Sequence, residues 1–138
     1  MGWGKPTYNK YKAKKIVRNG VKFDSKLEMF CYNILTSTEI PFDFQVKIEL
    51  VPKFRDMDGA AVRACFMLVD FVVPINEIRL YVDTKGYATP TSKLKYKLLK
   101  HKIYLEEENS KVVFLKNQKE VREFVYKVTS NGYRRNTG

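Results

Sequence analysis

Histidine is nearly missing from this chain, which has one, His101, in 138 residues. That excludes zinc hydrolases built on paired histidines and nucleases that need two or more of them. Cysteine is scarce as well. Cys31 and Cys65 stand far apart in apolar surroundings with no histidine-rich partner segment. They predict neither a disulfide framework nor a zinc site, and read as small buried hydrophobes in a reducing compartment. No apolar run reaches the length of about 18 residues that a membrane span needs, and no secretory or lipidation motif is found. Acids are outnumbered, 15 Asp and Glu against 26 Lys and Arg, for a net charge of +11.

What is present is enough apolar material, 44% of residues, for one domain with a real core. The basic surplus favours a polyanionic partner, because each lysine set on a phosphate releases condensed counterions. An anionic membrane surface could use the same charge, so DNA is the expected partner only once chemistry points to it.

The chain divides into a basic arm (1–24), a main domain (25–130) and a basic tail (131–138). The arm carries Lys5, Lys10, Lys12, Lys14, Lys15, Arg18 and Lys22 against the single acid Asp24, with Trp3, Tyr8 and Tyr11 interleaved. Two readings stand: a solvated terminus, or an arm that tracks phosphates and stacks on bases. "KIVRNGVKF" predicts a short hairpin turning at Asn19-Gly20. Residues 25–37 predict a helix, with Leu27, Phe30, Cys31, Ile34 and Leu35 on one face and Ser25-x-x-Glu28 as a capping box. Residues 43–51 alternate Phe44, Val46, Ile48 and Leu50 with polar residues and predict a half-exposed strand. "DMDGAAV" is a turn with Asp58-Gly59 at its tip; a calcium loop would need Glu where Met67 stands.

Residues 61–73 become continuously apolar and predict a central strand buried on both faces. Residues 77–85 predict the next strand, and with 43–51 the three form a meander. A helix follows at 91–105. There Lys93, Lys97 and Lys100 share a stripe between one apolar side, Tyr96, Leu99 and Ile103, and another, Leu94 and Leu98, which predicts a helix wedged against the sheet. A strand at 111–115 and a closing helix at 118–128 complete an α/β order of α-β-β-β-α-β-α.

The chemistry lies in the acids. Asp70 is the lone charge in "FMLVDFVVP", and a lone buried carboxylate loses several kcal/mol of hydration, of order, unless something compensates it. A divalent cation, a helix N-terminus or a lysine would each serve. Period-2 geometry puts Asp83 and Lys85 on one strand face together with Arg79 and Tyr81. A turn centred near residue 76 or 77 would bring Asp70 opposite Asp83. Glu28, at the flank of the first helix's apolar face, could reach the same place or simply close the capping box. Phosphodiester hydrolysis needs a water made nucleophilic and charge neutralised on the phosphate. Asp70 and Asp83 would hold Mg²⁺, with Mn²⁺ able to substitute. The Thr84 carbonyl would add an oxygen, Lys85 would orient or help deprotonate water, and Glu28 would hold a second metal or a metal-bound water.

"FDSKLE", "VDF" and "YVDTKG" together resemble the PD-(D/E)XK nuclease superfamily, and within it the phage junction-resolving endonucleases of the endonuclease I type and related small phage nucleases. The likeness spans roughly residues 23–103. It implies a restriction-endonuclease-like α-β-β-β-α-β core with a mixed central sheet, and Glu28, Asp70, Asp83 and Lys85 as active-site acid, metal aspartate, second acid and lysine. Val69 stands where the family pattern has proline. The resemblance also implies a Mg²⁺-dependent endodeoxyribonuclease, a nickase or Holliday junction resolvase, acting in a host cytoplasm. Lys93, Lys97 and Lys100 would lie beside the cleft on DNA phosphates, with Arg134 and Arg135 of the tail adding to them. One site cuts one strand, so cutting both would take a homodimer. The rival reading is a basic nucleic-acid-binding protein without catalysis.

Overall fold

The computed structural model describes residues 16–18, 20–85, 88–106, 108–130 and 132. A short hairpin opens it, β1 (Ile16–Arg18) and β2 (Val21–Phe23), with Gly20 at φ 81° in the turn. Only glycine takes that left-handed backbone without strain. Helix α1 (Lys26–Ser37) starts where Ser25 Oγ accepts the Glu28 N–H, as the capping pattern predicts. Then come β3 (Asp43–Val51), a small hairpin of β4 (Phe54–Arg55) and β5 (Ala61–Val62), β6 (Cys65–Ile75) and β7 (Ile78–Thr84). Helix α2 (Pro90–Leu105), β8 (Ser110–Leu115) and α3 (Gln118–Thr129) follow.

The central sheet has the order β3-β6-β7-β8. β3, β6 and β7 run antiparallel in succession, the expected meander, while β8 lies parallel to β7. A parallel neighbour requires a crossover, and α2 supplies it. The sheet is therefore mixed, with helices on both faces.

α1 and α3 cover one face over a core that includes Cys31, Leu35, Phe71, Val73, Leu80 and Val82. α2 covers the other, where Tyr96, Leu99 and Ile103 meet Val69, Val72 and Tyr81. Phe23, at the end of the segment read as a basic arm, is buried against Tyr32 and Phe44. Among the described residues no helix is long and apolar enough to cross a membrane.

Three expectations change. Phe44 does not share a face with Val46, Ile48 and Leu50. It packs in the α1/α3 core, while the other three pack on the α2 side. The apolar run 61–73 is not one doubly buried strand: it splits into β5 and β6, and Phe66 and Leu68 are exposed. Lys47 lies over the Phe66 ring, 4.2 Å from its centroid, which gives the exposed ring a cationic cover. Nor is α2 wedged between two apolar contacts. Ser92, Tyr96, Leu99 and Ile103 are buried, whereas Leu94 is exposed.

The β6–β7 turn is two residues long, with Asn76 at φ 49° and Glu77 at φ 65°. Both are left-handed, the signature of the hairpin turn whose twist matches its strands. Asparagine tolerates this conformation and glutamate does not. Glu77→Gly is therefore expected to stabilise the protein by about 1 kcal/mol, read as a raised urea midpoint at unchanged slope.

Candidate active site

The turn fixes the register. Ile75 pairs with Ile78 and Phe71 with Val82, so one further step sets Asp70 opposite Asp83. The sequence argument placed the turn there, and the structure brings the two carboxylates together.

The ladder between β6 and β7 stops at this step. Asp70 Oδ2 instead accepts the Thr84 N–H and the Thr84 hydroxyl, both at 2.8 Å. The reason lies in the sheet. Val69 belongs to the α2-side core and Phe71 to the α1/α3 core, although residues two apart on a regular strand share a face. Their partners on β3, Val46 and Phe44, invert in the same way. Between them stands Gln45, at φ 54°. Both strands thus exchange their faces at Gln45 and Asp70, and the Asp70 side chain belongs to neither face. It takes the place of a ladder hydrogen bond in the gap between β6 and β7.

Asp83 is 1% exposed on the α2 side. Its Oδ2 accepts from Lys85 Nζ at 2.8 Å and from the Tyr96 hydroxyl. Its Oδ1 is buried with no hydrogen-bond partner. Such an oxygen is costly, and one fully desolvated lone-pair set beside a second carboxylate is what a hard cation would satisfy. Glu28, also 1% exposed, reaches the site from α1. It accepts the Asp24 N–H at 2.5 Å and the Gln45 amide at 3.3 Å. The reciprocal bond of the capping box therefore goes to Asp24 and not to Ser25, and Glu28 tethers Gln45, the residue that inverts the strands.

The charges feel one another. Burial pushes the Asp70 carboxyl up to about 9; the negative charge of Asp83, a hydrogen bond that the protonated Asp70 makes to Asp83, and the charge of Glu28 add to it, and the Thr84 N–H opposes. Burial also raises Glu28, against its bonds from Asp24 and Gln45. For Lys85 burial acts downward, but Asp83, Asp70 and Glu28 outweigh it and hold the ammonium above its ordinary value. Cys31 is pushed up to about 12, by burial first and then by Asp70 and Glu28, which makes it an inert thiol.

Among the described residues, no three His, Cys, Asp or Glu side chains are grouped to hold a metal ion by themselves. The side-chain donor set is smaller, Asp70 and the Asp83 oxygen, to which the expected Thr84 carbonyl would add. It suits Mg²⁺, which keeps several waters and takes substrate phosphate directly, better than an ion that demands a full protein cage. Glu28 is engaged on both oxygens and stands behind this set.

Lys93, Lys97 and Lys100 are exposed on one flank of α2, as their spacing predicts. Lys10, Lys12, Lys14, Lys15, Arg134 and Arg135 lie outside the described residues. Two site residues went unread in the sequence. Tyr96 was placed in the apolar face of α2, and the signal was available: a buried tyrosine needs a partner for its hydroxyl. Gln45 gave no signal, because a glutamine between two apolar residues is what any half-exposed strand shows.

The raised Asp70 carboxyl sets a pH dependence. The folded state keeps a proton up to about 9 that the unfolded chain releases near its ordinary value of 3.8. This contribution is therefore full below the unfolded value and declines as pH rises toward 9. Asp70→Asn keeps an oxygen for Thr84 and removes the charge. Without metal it is expected to be more stable than the parent at pH 8 by on the order of 1–3 kcal/mol, with little difference at pH 4. Urea midpoints at the two pH values, in EDTA, check this, and equal differences at both would contradict it. Added Mg²⁺ should stabilise the parent and not the variant.

Comparison with known proteins gives a family without an assigned role. No curated protein matches the chain. No solved structure matches it. A family model covers residues 8–120, most of the chain and all four acidic and lysine site residues, so the protein belongs to the family described as Protein of unknown function (DUF1064).

Proposed function

We propose that this protein is a metal-dependent endodeoxyribonuclease, built on a PD-(D/E)XK-like core, that nicks duplex DNA or cuts branched junctions. The observation that carries the reading is the buried, unpartnered Asp83 Oδ1 beside Asp70, with Lys85 bonded to the other oxygen of the same carboxylate. The net charge of +11 favours a polyanionic substrate.

Asp70, Asp83 and the Thr84 carbonyl would hold Mg²⁺, or Mn²⁺ in its place. When bound, the ion supplies charge neutralisation on the phosphate and a water acidified toward neutral pH. Tyr96 fixes the Asp83 carboxylate by donating to Oδ2, which leaves Oδ1 directed elsewhere. Lys85 is held protonated by the three surrounding acids, so its role is to orient the attacking water and to stabilise charge that develops on the phosphate oxygens. Glu28 holds Gln45, and through it the inversion that places Asp70. Lys93, Lys97 and Lys100 contact backbone phosphates, which positions a duplex without reading its bases. One site cleaves one strand, so a homodimer would be needed to cut both. A host cytoplasm, for a phage or mobile-element protein, goes with this reading.

The test is incubation of supercoiled plasmid and of a four-way junction with the protein in Mg²⁺ or EDTA. Cleavage is expected only with metal. Asp83→Ala and Lys85→Ala should each lose about 10²-fold or more in rate while keeping DNA affinity within a few-fold. Intact plasmid and junction, with binding retained in both variants and in EDTA, would instead establish a non-catalytic binding protein.

A further inference from the structure

The β6–β7 ladder ends at Phe71 and Asp70 meets β7 only through its side chain, so residues 65–69 of β6 have no β7 pairing partner. The chain leaves the sheet at Lys85 and returns as α2, and a cavity of about 250 Å³ opens between them. Lys85 and Lys95 line it, with Thr89, Thr91 and Ser92 of the α2 start and an apolar wall of Met67 and Leu68. No acid is among its lining residues that the structure describes. Lys95 was not singled out by the sequence pattern, because it falls outside the stripe of Lys93, Lys97 and Lys100. The helix turn explains the difference: Lys95 lies on the opposite flank of the buried face that Ser92, Tyr96 and Leu99 define.

The hydroxyls divide their duties. Thr89 Oγ1 accepts the Ser92 N–H and Ser92 Oγ donates to the Thr89 carbonyl, so these two build the helix start. Thr91 and Lys95 remain to meet a ligand. The positive end of the α2 dipole adds to the two ammonium groups. Lys85 belongs to both places: it lines the cavity and bonds Asp83, whose buried Oδ1 calls for a cation. The site is thus a cation position and an anion position joined by one lysine.

We infer that this cavity seats a backbone phosphate of the substrate strand next to the one cleaved, gripped by Lys95 and Thr91, with Met67 and Leu68 against its sugar. The inference rests on the nuclease reading for the identity of the anion, but the seat itself can be tested without cleavage. It assigns Lys95 a binding role distinct from the outer lysine stripe, since a phosphate held here fixes the scissile bond relative to Asp70 and Asp83.

Two readouts on the full chain separate the possibilities: metal-dependent plasmid cleavage against salt, and the shift in thermal midpoint caused by inorganic phosphate in Mg²⁺. The variants are Lys95→Ala, Lys95→Arg and, as a distant control, Lys119→Ala on α3. Lys95→Ala is expected to slow cleavage at limiting plasmid about ten- to hundredfold, to lower the slope of that rate against salt by about 1 and to abolish the phosphate shift. Lys95→Arg should recover most of both, and Lys119→Ala should match the parent. Parental cleavage, salt slope and phosphate shift in Lys95→Ala would overturn the seat and leave the nuclease reading standing. A parent that cuts no DNA but gains a Lys95-dependent phosphate shift would keep the seat and remove the nuclease reading. Absence of both cleavage and shift in the parent would overturn both.

Discussion

The Asp70 carboxylate accepts the Thr84 N–H where a strand partner would otherwise stand, and the rest of the site depends on that substitution. A buried carboxylate must be bonded or neutralised. Here the bond is made to the neighbouring strand itself, so the carboxyl group is held in the plane of the sheet and not on a face. In that position it can be approached from both sides. Asp83 comes from the α2 side, where Tyr96 touches it, and Glu28 comes from α1. A carboxylate on either regular face would meet only one of them.

The placement has an energetic side. Three acids gather in a buried space with one lysine, and the arrangement raises the proton affinity of two of them. Without a cation the cluster is frustrated, and its hydrogen bonds offset only part of the cost. The partners are unevenly shared: Asp70 Oδ2 and Asp83 Oδ2 each take two donors, while Asp83 Oδ1 takes none. Strain of this kind, at a φ of 54° for Gln45 and at an unpartnered oxygen, collects where a protein trades stability for a function.

Much of this was legible in the chain. The Ser25 cap, the strand at 43–51 and the turn near residue 76 follow from local chemistry, and local chemistry survives in the fold. The opposition of Asp70 and Asp83 follows in turn from counting residues across that turn. What could not be read was the inversion. Phe44 and Val46, like Val69 and Phe71, obey the period-2 rule in sequence and break it in space; on β3 the left-handed Gln45 stands at the reversal, and β6 follows its partner strand at Asp70. Glutamine carries no mark of that conformation. The same limit hid Lys95: helical spacing groups lysines by angle, but only the position of the sheet edge decides which flank faces a cavity.

The two-residue turn at Asn76 and Glu77 also sets the order in which the site can assemble. Asp70 and Asp83 are joined by a hairpin, whose closure costs little chain entropy. Glu28 lies far away along the chain, and β8 must cross over through α2 before β7 is enclosed. During folding the two carboxyl groups are therefore brought together by the most local contact in the sheet, with Lys85 two residues from Asp83, before Tyr96 of the crossover helix can reach them. The pair is thus set by the element that closes the shortest loop, and the crossover that carries Tyr96 completes its surroundings afterwards.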